Sequence, residues 1–568
     1  MHELYRWLPF LRWPRPTLSL LRGEVLASFT VAVVMIPQSV AYAGLAGMPL
    51  VAGLYAAFLP TLISVLFSGS TRLSVGPSAL SSVLVGASLL TLAQPGSTDW
   101  VALAVWLGLL SGLMQFAVGA SGASWMLNLV STPVLSGFTQ AAALLIIGSQ
   151  LPSLLGLHGA WREWLQAVPP VHYETLGYGM ASLALLVLGK RYAPRVPMVL
   201  VVLAAAGAVS AWSDYAARGK VVGALPAGLP SLYWPALPTW DALGSLLVPA
   251  LVLALVSSLE MAASAKIESQ HDGKRWDASQ DLIGQGMGKL ASALCGSFPT
   301  STSFSRSAIT LYSGAKTGWA TVSVTCVVLL VLLFFTPALA PVPQAALAAV
   351  VVAAVSSLFK PRTLFALRRI DRVEAVIAFT TFGVTLLTAP RIYWGVLTGV
   401  VMGLAHFLYN RLHPRIIEIG LHPDGSLRDR HLWHLPPLAP ALYALRMDDA
   451  LDFASATALE RAVTEHIAVH PQVRHVCLFA QPINRIDATG VETFAQLRKA
   501  LQARDIVLHI SGIKLPVERV LERAGALKPG LLLRMYRTDA ETLQALGSCC
   551  AATQPAGGAP SDVELKSG

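Results

Sequence analysis

Two short polar stretches interrupt otherwise apolar parts of the chain, and each has the residues to begin a helix. The first is LSVGPSALSS at positions 73–82, and the second is FPTSTSFSRSA at positions 298–308. Free N–H groups at a helix N-terminus bind anions without any charged side chain, and nearby serine hydroxyls can donate further hydrogen bonds. Two such helix starts facing each other would form an anion site. The residues at these starts are Ser78, Ala79, Ser303 and Ser305.

Arg306 immediately follows the second helix start and lies inside an apolar segment rather than at its end. If this segment crosses a membrane, a charge at that depth costs at least about 2.5–3.5 kcal/mol on insertion scales. A charge retained at that cost predicts a functional site, where the guanidinium would add to the partial positive charges of the two helix ends. The alternative is an arginine that pairs with a carboxylate for packing alone.

Glu260 is a second isolated charge, in the stretch LVSSLEMAASAK. A carboxylate in apolar surroundings favours the proton-bound or cation-bound form, because burial penalises its free charge. Glu260 could therefore bind H⁺ or Na⁺ and couple cation movement to anion movement. The alternative is a static ion pair with Arg306 or Lys289.

Gln38 and Tyr42 follow Pro37 in the first long apolar segment. Proline removes one hydrogen bond from a helix, and the four-residue spacing places Gln38 and Tyr42 on one helix face. An amide and a phenol on that face could line a polar cavity. Ordinary helix packing is the alternative for both residues.

The elements that must hold these side chains are membrane-spanning helices. Of the 568 residues, 54% are hydrophobic and 13% are charged, and the mean hydropathy is +0.59. Asp, Glu, Lys and Arg are absent from residues 25–71, 73–98, 100–161 and 317–359. A helix crosses the hydrocarbon core with about 20 apolar residues, and each of these intervals contains at least one such length. The composition excludes a soluble protein.

Fourteen apolar segments are predicted to cross the membrane, in two sets of seven. The third and the tenth are short and begin with the two polar stretches, so they hold matching places in the two halves. Interrupted segments at matching positions are typical of an inverted-repeat transporter, whose broken helices surround a protein-lined cavity. The predicted crossings are 24–44, 49–68, 77–93, 100–119, 127–149, 173–190, 196–212, 241–264, 280–295, 303–314, 318–337, 344–358, 373–389 and 392–409.

The net charge of +10 reflects membrane topology rather than nucleic-acid binding. With a cytoplasmic N-terminus, the predicted inner segments hold 17 Lys and Arg residues before the last crossing, including Arg6 and Arg195. The predicted outer segments hold four, namely Arg162, Arg218, Lys220 and Arg391. This is the positive-inside pattern, which places both termini in the cytoplasm. The expected location is the inner or plasma membrane.

The composition changes after residue 410, where charged residues return. Alternating strand and helix patterns predict a compact cytoplasmic α/β domain at 441–547. A linker is predicted at 411–440, and the tail at 548–568 is predicted to be disordered. The other predicted parts are a cytoplasmic lead-in at 1–23 and a transmembrane transport domain at 24–410, with repeats at about 24–214 and 241–410. Within the α/β domain, strands are predicted at 441–447, 473–480 and 506–511, and helices at 457–470, 489–504 and 515–525.

Three stretches resemble signature regions of the sulfate permease (SulP) family. They are MIPQSVAYAGLAGMPLVAGLYAAFLPTLISVLFSGSTRLSVGP at 35–77, DASQDLIGQGMGKL at 277–290 and GSFPTSTSFSRSAITLYSGAKT at 296–317. The resemblance covers nearly the whole chain. It implies an α-helical membrane protein with about 14 transmembrane segments in a 7+7 inverted repeat, divided into core and gate domains. It also implies a substrate site between the third and tenth helices, an elevator-like motion and a small cytoplasmic α/β STAS domain at the C-terminus.

The same resemblance implies roles for individual residues. Glu260 matches an acidic residue linked to cation coupling, and Arg306 matches a basic residue that some relatives carry. Lys289 departs from the family pattern, in which asparagine is expected. The residues that would line the anion site by this match are Gln38, Tyr42, Ser78, Ala79, Ser303, Ser305 and Arg306.

The C-terminal domain resembles a STAS domain at IDATGVETFAQL, residues 486–497. Asp487 could cap the helix that begins there, because its carboxylate can accept a backbone N–H. Thr489 occupies the position that is phosphorylated in the bacterial anti-sigma-factor antagonists that this domain resembles. A phosphate at a helix N-terminus could recruit or repel a cytoplasmic protein partner. Thr489 could instead only shape the turn.

The sequence therefore predicts a secondary active transporter of a small anion, with sulfate favoured, coupled to H⁺ or Na⁺. A bicarbonate or C4-dicarboxylate symporter and an uncoupled exchanger or channel of the same fold remain open. There is no Walker A motif and no hydrolytic constellation, so the chain is not expected to be an enzyme. No metal and no cofactor other than the coupling ion is expected. The expected partners are the anion, the lipid bilayer, a second copy of the chain in a homodimer and a cytoplasmic protein at the STAS domain, but no nucleic acid.

Overall fold

The computed structural model describes residues 7–157, 171–193, 196–528 and 530–551. The chain divides into two compact units, Met1–Leu404 and Ala405–Gly568. Some predictions fall outside the described residues: the topological roles of Arg6, Arg162 and Arg195, and the disordered state of positions 552–568 in the tail.

The first unit is built from helices, because a chain in a bilayer must satisfy its backbone hydrogen bonds within itself. Each of the fourteen predicted crossings overlaps a helix. The first half contains α1 (Leu18–Leu45), α2 (Val51–Phe67), α3 (Ala79–Leu89), α4 (Thr98–Ala120), α5 (Thr132–Leu155), α6 (Tyr173–Tyr192) and α7 (Met198–Trp212). The second half contains α8 (Trp240–Asp272), α9 (Ala278–Leu294), α10 (Phe304–Tyr312), α11 (Trp319–Leu339), α12 (Gln344–Ser356), α13 (Pro361–Ile370), α14 (Arg372–Leu387) and α15 (Tyr393–Leu412).

Six helical stretches of the described residues are long and apolar enough to span a membrane, namely α1, α4, α5, α8, α11 and the stretch Gln344–Ile370, which contains α12 and α13. Helices α2, α3 and α7 are shorter apolar helices. Helix α13 was not predicted as a separate element. Its last turn carries Arg368 and Arg369, and Leu364 is its one buried residue. Such an amphipathic helix is suited to lie along a membrane surface rather than to cross it.

The two interrupted crossings are half-helices that begin at a pair of very short strands. Helix α3 has 11 residues and α10 has 9, so each covers roughly half of a hydrocarbon core about 30 Å thick. Strand β1 (Val75–Gly76) precedes α3, and strand β2 (Ser301–Thr302) precedes α10. The strands pair antiparallel, with Val75 opposite Thr302 and Gly76 opposite Ser301. This pairing satisfies backbone groups that would otherwise lie free at depth.

The helices of the first unit form two packing groups. Helices α1 to α4 pack chiefly against α8 to α11, and α5, α6 and α7 pack with α12 and α14. Each group combines elements from both halves of the chain, as expected for two intertwined repeats. The half-helices α3 and α10 belong to the first group, which is the core domain. The second group is the gate domain.

Close approach of α1 and α2 depends on a glycine, and this yields a prediction. A Cβ atom at Gly53 would lie 1.9 Å from the Ser39 carbonyl oxygen. Gly53→Ala should therefore lower the thermal unfolding midpoint in detergent, because overpacking typically costs about 1–3 kcal/mol. Gly244→Ala in α8 is a matched control, since a Cβ there meets no atom within 4 Å. Equal midpoints for the two variants would contradict the close helix contact.

The second unit is a six-stranded sheet with helices. The sheet order is β4-β3-β5-β6-β7-β8. Strands β5 to β8 are parallel to one another, whereas β3 is antiparallel to both β4 and β5. The strands are β3 (Ile416–Leu421), β4 (Leu427–Asp429), β5 (Leu442–Met447), β6 (His475–Phe479), β7 (Val507–Ser511) and β8 (Leu533–Tyr536). The helices are α16 (Ala456–Val469), α17 (Ala488–Gln502), α18 (Leu515–Arg523) and α19 (Asp539–Ala551).

All three predicted strands and all three predicted helices of this unit are present, but both of its boundaries differ from the prediction. The predicted linker 411–440 contains β3 and β4, because Ile417 and Ile419 are buried against the sheet. The first four residues of the predicted tail, 548–551, belong to α19. Leu546 of α19 is buried in the same apolar cluster as the two isoleucines, which holds this helix on the sheet.

These boundaries predict which fragment of the second unit folds best. A fragment of residues 413–551 should be soluble and should resist urea better than a fragment of residues 441–547. The shorter fragment loses the buried Ile417 and Ile419, each worth about 1.5–3 kcal/mol, and exposes the edge of β5 to aggregation. Equal free energies of unfolding for the two fragments would contradict the assignment of β3 to this sheet.

Candidate anion-binding site

The starts of α3 and α10 are tied to each other across the β1–β2 pair. The backbone N–H of Ser303 donates to the carbonyl oxygen of Ser74 at 3.0 Å. The backbone N–H of Ser74 in turn donates to the hydroxyl of Ser307 at 2.9 Å. The structure thus brings the two polar stretches together, with one half-helix N-terminus from each half of the chain.

Arg306 is fully buried in the first turn of α10, and part of its guanidinium lacks a partner. Its Nε donates to the Ser74 hydroxyl at 3.2 Å, and its Nη1 donates to Gln38 Oε1 at 3.4 Å. Its Nη2 has no hydrogen-bond partner among the described residues, and no described carboxylate lies within 4.0 Å of the guanidinium. The packing alternative required such a carboxylate. A buried cation with an unused donor is suited to bind an anionic ligand.

Glycine at position 76 lets strand β1 pack closely against α1 beside this unused donor. A Cβ atom at Gly76 would lie 2.5 Å from the Met35 methyl carbon, which is a clash, and 3.5 Å from Arg306 Nη2, which is an ordinary contact distance. A side chain at this position would therefore push Met35 aside.

Gln38 and Tyr42 lie on the α1 face that is turned toward this site. The Gln38 amide oxygen is a partner of Arg306, so it orients the guanidinium as well as lining the site. Tyr42 is 5% exposed, and its hydroxyl makes no hydrogen bond within the described part of the chain. Tyr42 also lies near enough to Arg306 and Glu260 to interact with both electrostatically. A phenol with a free hydroxyl at this position could donate to a bound oxyanion.

Ser78 and Ala79 form the start of α3. The Ser78 hydroxyl accepts a hydrogen bond from the backbone N–H of Ser81 at 3.3 Å, which caps the helix, and it also donates to Glu260 Oε2 at 3.4 Å. Ala79 is the first helical residue, and the first N–H groups of a helix have no acceptor within it. Ser78 therefore links the α3 N-terminus to Glu260, while Ala79 contributes a backbone donor.

Ser303 and Ser305 occupy the start of α10 and leave their hydroxyls available. Ser303 is half-buried, Ser305 is exposed, and their two Oγ atoms are 3.4 Å apart. The Ser303 side chain does not cap α10. Two hydroxyls beside uncapped helix N–H groups can bind the oxygens of an anion.

Glu260 extends from α8 to the β1–β2 region and makes no ion pair with a described residue. Its Oε2 accepts hydrogen bonds from the Ser301 hydroxyl at 2.6 Å and from Ser78. Neither Arg306 nor Lys289 is within 4.0 Å of its carboxylate. The static ion pair that the sequence left open is therefore absent. The carboxylate is held by hydroxyls, which can also donate to a protonated or cation-bound carboxyl group.

Two site residues were missed in the sequence, although both lie within or beside the quoted polar stretches. Ser74 positions the guanidinium of Arg306, and Ser301 makes the shortest hydrogen bond to Glu260. Their signal was the serine content of both stretches, but no spacing rule links a serine to a partner on another element, 232 positions away for Ser74 and 41 for Ser301.

The loop before β1 is held by two buried carboxylates that no sequence motif had indicated. Asp281 accepts from the Ser70 backbone N–H at 2.8 Å and from the Ser70 hydroxyl at 2.6 Å. Glu268 accepts from the Thr71 backbone N–H at 3.1 Å and lies 3.4 Å from Arg72 Nε. These contacts fix the entry into β1 and thereby the position of the α3 N-terminus.

Two matches to protein families cover most of the chain. Residues 21–381 match the Sulfate permease family, and residues 438–541 match the STAS domain. The family resemblance inferred from the three sequence stretches is thereby confirmed.

Several sulfate transporters of other organisms are similar to the chain over most of its length. A probable sulfate transporter of Mycobacterium tuberculosis is 32% identical over 517 residues, covering 89% of this chain and 92% of the relative. The chloroplastic sulfate transporter 4.1 of Arabidopsis thaliana is 29% identical over 553 residues, covering 92% and 79%. The sodium-independent sulfate anion transporter of Bos taurus is 29% identical over 560 residues, covering 91% and 88%.

Solved structures share the fold. The murine solute carrier 26 family member A9 anion transporter, in an inward-facing state, superposes with a TM-score of 0.86 at 19% identity and covers 96% of this chain and 95% of that one. The transmembrane domain of a cyanobacterial bicarbonate transporter superposes with a TM-score of 0.57 at 21% identity, covering 68% and 98%. These similarities confirm the predicted fold, a helical membrane domain in a 7+7 inverted repeat followed by a small α/β domain.

Proposed function

Because the chain belongs to the sulfate permease family, we propose that it is a secondary active transporter of sulfate, coupled to H⁺ or Na⁺ through Glu260. The family makes it a multi-pass membrane protein that carries an anion. The proposal adds that the anion is sulfate, that its transport is coupled to a cation, and that the named residues bind the two ions. Sulfate is favoured because the relatives in Mycobacterium, Arabidopsis and Bos are all named as sulfate transporters.

One observation carries the choice of an anion: Arg306 Nη2 has no hydrogen-bond partner among the described residues, on a half-helix whose start is paired with the start of the other half-helix. Each helix end contributes roughly half a positive charge, and the guanidinium contributes a full one. Together they supply about two positive charges, which matches a dianion. The hydroxyls of Ser303 and Ser305 provide further donors without adding charge.

The coupling role follows from the surroundings of Glu260. Its carboxylate has hydroxyl partners but no cationic partner within 4.0 Å in the described residues. A carboxylate that is not neutralised by a fixed cation can be neutralised by a mobile one, either a proton or Na⁺. Ser78 contacts this carboxylate and also caps α3, so cation loading and the shape of the anion site would be linked.

Uptake into proteoliposomes tests the proposal. Labelled sulfate, bicarbonate and fumarate should each be offered with an imposed H⁺ gradient, an imposed Na⁺ gradient and no gradient. Concentrative sulfate uptake under one gradient alone is the expected result. Concentrative uptake of bicarbonate or fumarate instead of sulfate would identify the protein as a symporter of that anion. Uptake that does not depend on either gradient would indicate an exchanger or a channel.

The arrangement in the cell is part of the same proposal. The charge asymmetry supports an inner or plasma membrane location with both termini cytoplasmic, and family resemblance supports a homodimer. Cysteine labelling from each side of the membrane tests the orientation, and mass measurement in detergent tests the dimer.

A regulatory role for the STAS domain rests on the start of α17. Asp487 caps this helix by accepting from the Gly490 backbone N–H at 2.9 Å, and it also accepts from the Phe453 backbone N–H at 3.0 Å. Thr489 is exposed beside this cap, where a kinase or a cytoplasmic partner could reach it. Phosphate analysis of protein purified from its own host tests whether Thr489 is modified.

A further inference from the structure

Lys289 is a fully buried cation that the proposed transport mechanism leaves unused. It lies on α9 with 0% of its surface exposed. Its Nζ donates to the Ser257 hydroxyl at 2.7 Å, which is its one acceptor in the described residues, and no described carboxylate lies within 4.0 Å. Burying a lone ammonium is costly, so a lysine kept at this depth calls for a functional explanation.

The acceptor of Lys289 places it beside the coupling carboxylate. Ser257 precedes Glu260 by three residues on α8, so the two side chains lie on one face about one turn apart. The ammonium therefore lies roughly one helical turn from Glu260. It is close enough to interact with the carboxylate electrostatically, without making an ion pair.

A chain of buried polar groups also connects Lys289 to the strand that begins the anion site. Ser257 Oγ lies 3.0 Å from Gln115 Nε2, and this amide donates to Gln285 Oε1 at 2.8 Å. Gln285 Nε2 then donates to the Thr302 hydroxyl at 3.2 Å. Thr302 belongs to β2, next to Ser301, the partner of Glu260. In such surroundings charges are weakly screened, so Lys289 can act on an anion that it does not touch.

The charges around the site favour one kind of cargo. The two helix ends and Arg306 supply about two positive charges. A charged Lys289 adds one more and offsets the negative charge of an ionised Glu260, so about two positive charges still face the anion. Without the charge of Lys289 this sum would fall to about one, which matches a monoanion rather than a dianion.

We propose that Lys289 is a specificity-determining residue, whose buried charge makes the site prefer dianions of the sulfate type to monoanions. The residue acts at a distance, through its position beside Glu260 and behind β2. This inference rests on the proposed transport function and extends it to the charge of the cargo.

The test is to measure how the full-length protein discriminates between sulfate and nitrate. Dissociation constants for both ions should be determined by calorimetry on the purified wild type, Lys289→Met and Lys289→Arg. Met is close in size but uncharged, and Arg keeps the charge. The preference for sulfate over nitrate should fall at least tenfold in Lys289→Met and stay within about threefold of the wild type in Lys289→Arg. Lys266→Met is the matched control, because Lys266 is exposed on the same helix as Ser257, and it should leave the preference unchanged.

Each other outcome overturns the inference. An unchanged preference in Lys289→Met would show that the charge does not select the anion, and an equal loss of both affinities would show a merely structural role. If Lys289→Met does not fold, Lys289→Gln gives the same comparison, since its amide can still bind Ser257 without a charge. Wild-type protein that binds neither ion would overturn the proposed function as well, whereas sulfate binding with an unchanged preference would overturn only the role of Lys289.

Discussion

Arg306→Ala should weaken sulfate binding by more than tenfold while leaving folded protein in the membrane. A tenfold loss corresponds to about 1.4 kcal/mol, and a hydrogen bond to a charged group contributes about 1.5–3 kcal/mol. Arg306 can offer a bound oxyanion its unpartnered Nη2 and its charge, so losing both should exceed the tenfold threshold. Calorimetric titration of purified protein with sulfate measures the change.

Two further variants distinguish the loss of charge at Arg306 from the loss of its geometry and from the loss of any nearby positive charge. Arg306→Lys keeps the charge but loses the planar fork that reaches Ser74 and Gln38, so its affinity should lie between those of the wild type and Arg306→Ala. Lys316→Ala removes an exposed positive charge shortly after α10 and should bind sulfate normally. Unchanged affinity in Arg306→Ala would remove the residue from the site.

Glu260→Gln should abolish gradient-driven accumulation of the anion while leaving anion binding and exchange in place. If the coupling ion is a proton, glutamine imitates the permanently loaded carboxyl group, because it has similar size but cannot ionise. The pH dependence of uptake should then disappear. If the coupling ion is Na⁺, glutamine is a poorer ligand, and the Na⁺ requirement should weaken or vanish. Uptake by proteoliposomes with and without each gradient measures these effects.

Thermal stability distinguishes this coupling role from a structural one. Removing one member of a buried ion pair commonly costs about 3–5 kcal/mol, but no such pair involves Glu260 in the described residues. Glu260→Gln should therefore stay close to the wild type in unfolding temperature. Asp281→Asn is the contrasting control, because Asp281 accepts hydrogen bonds from Ser70 and Trp276 and its loss should lower stability. A stable Glu260→Gln protein with normal concentrative uptake would rule out coupling through this residue.

The helical plan could be predicted from the sequence because the bilayer imposes it. Long intervals without charge can satisfy their backbone only as helices, and the polar starts at Ser78 and Ser303 mark where two of those helices had to be broken. The strands of the second unit were predictable in part. Residues 416–421, IIEIGL, place Ile417 and Ile419 on one side in the alternating pattern of a half-buried strand, but they were assigned to a linker because prolines and glycine lie nearby.

The partners within the site could not be predicted, because they depend on three-dimensional proximity. Arg306 was identified by the cost of its charge, but its contact with Gln38 joins residues 268 positions apart. The sequence also left two roles open for Glu260: it could bind a mobile cation, or it could form a static ion pair with a fixed residue. The structure was needed to show that the Ser301 hydroxyl donates to the carboxylate, whereas Lys289 donates to Ser257 instead.

The pairing of β1 with β2 also sets the order in which the protein can be made. Ser74 and Arg306 are 232 positions apart, and a ribosome adding about 5–20 residues per second needs on the order of 10–50 s to cover that distance. During this interval the nascent chain holds the start of α3 without its partner strand, and the backbone groups of Val75 and Gly76 cannot form their pairs. The start of α3 therefore stays without its partner strand until the second half of the chain has been made. The anion site is consequently completed late in biogenesis, and no truncated product that ends before β2 can contain it.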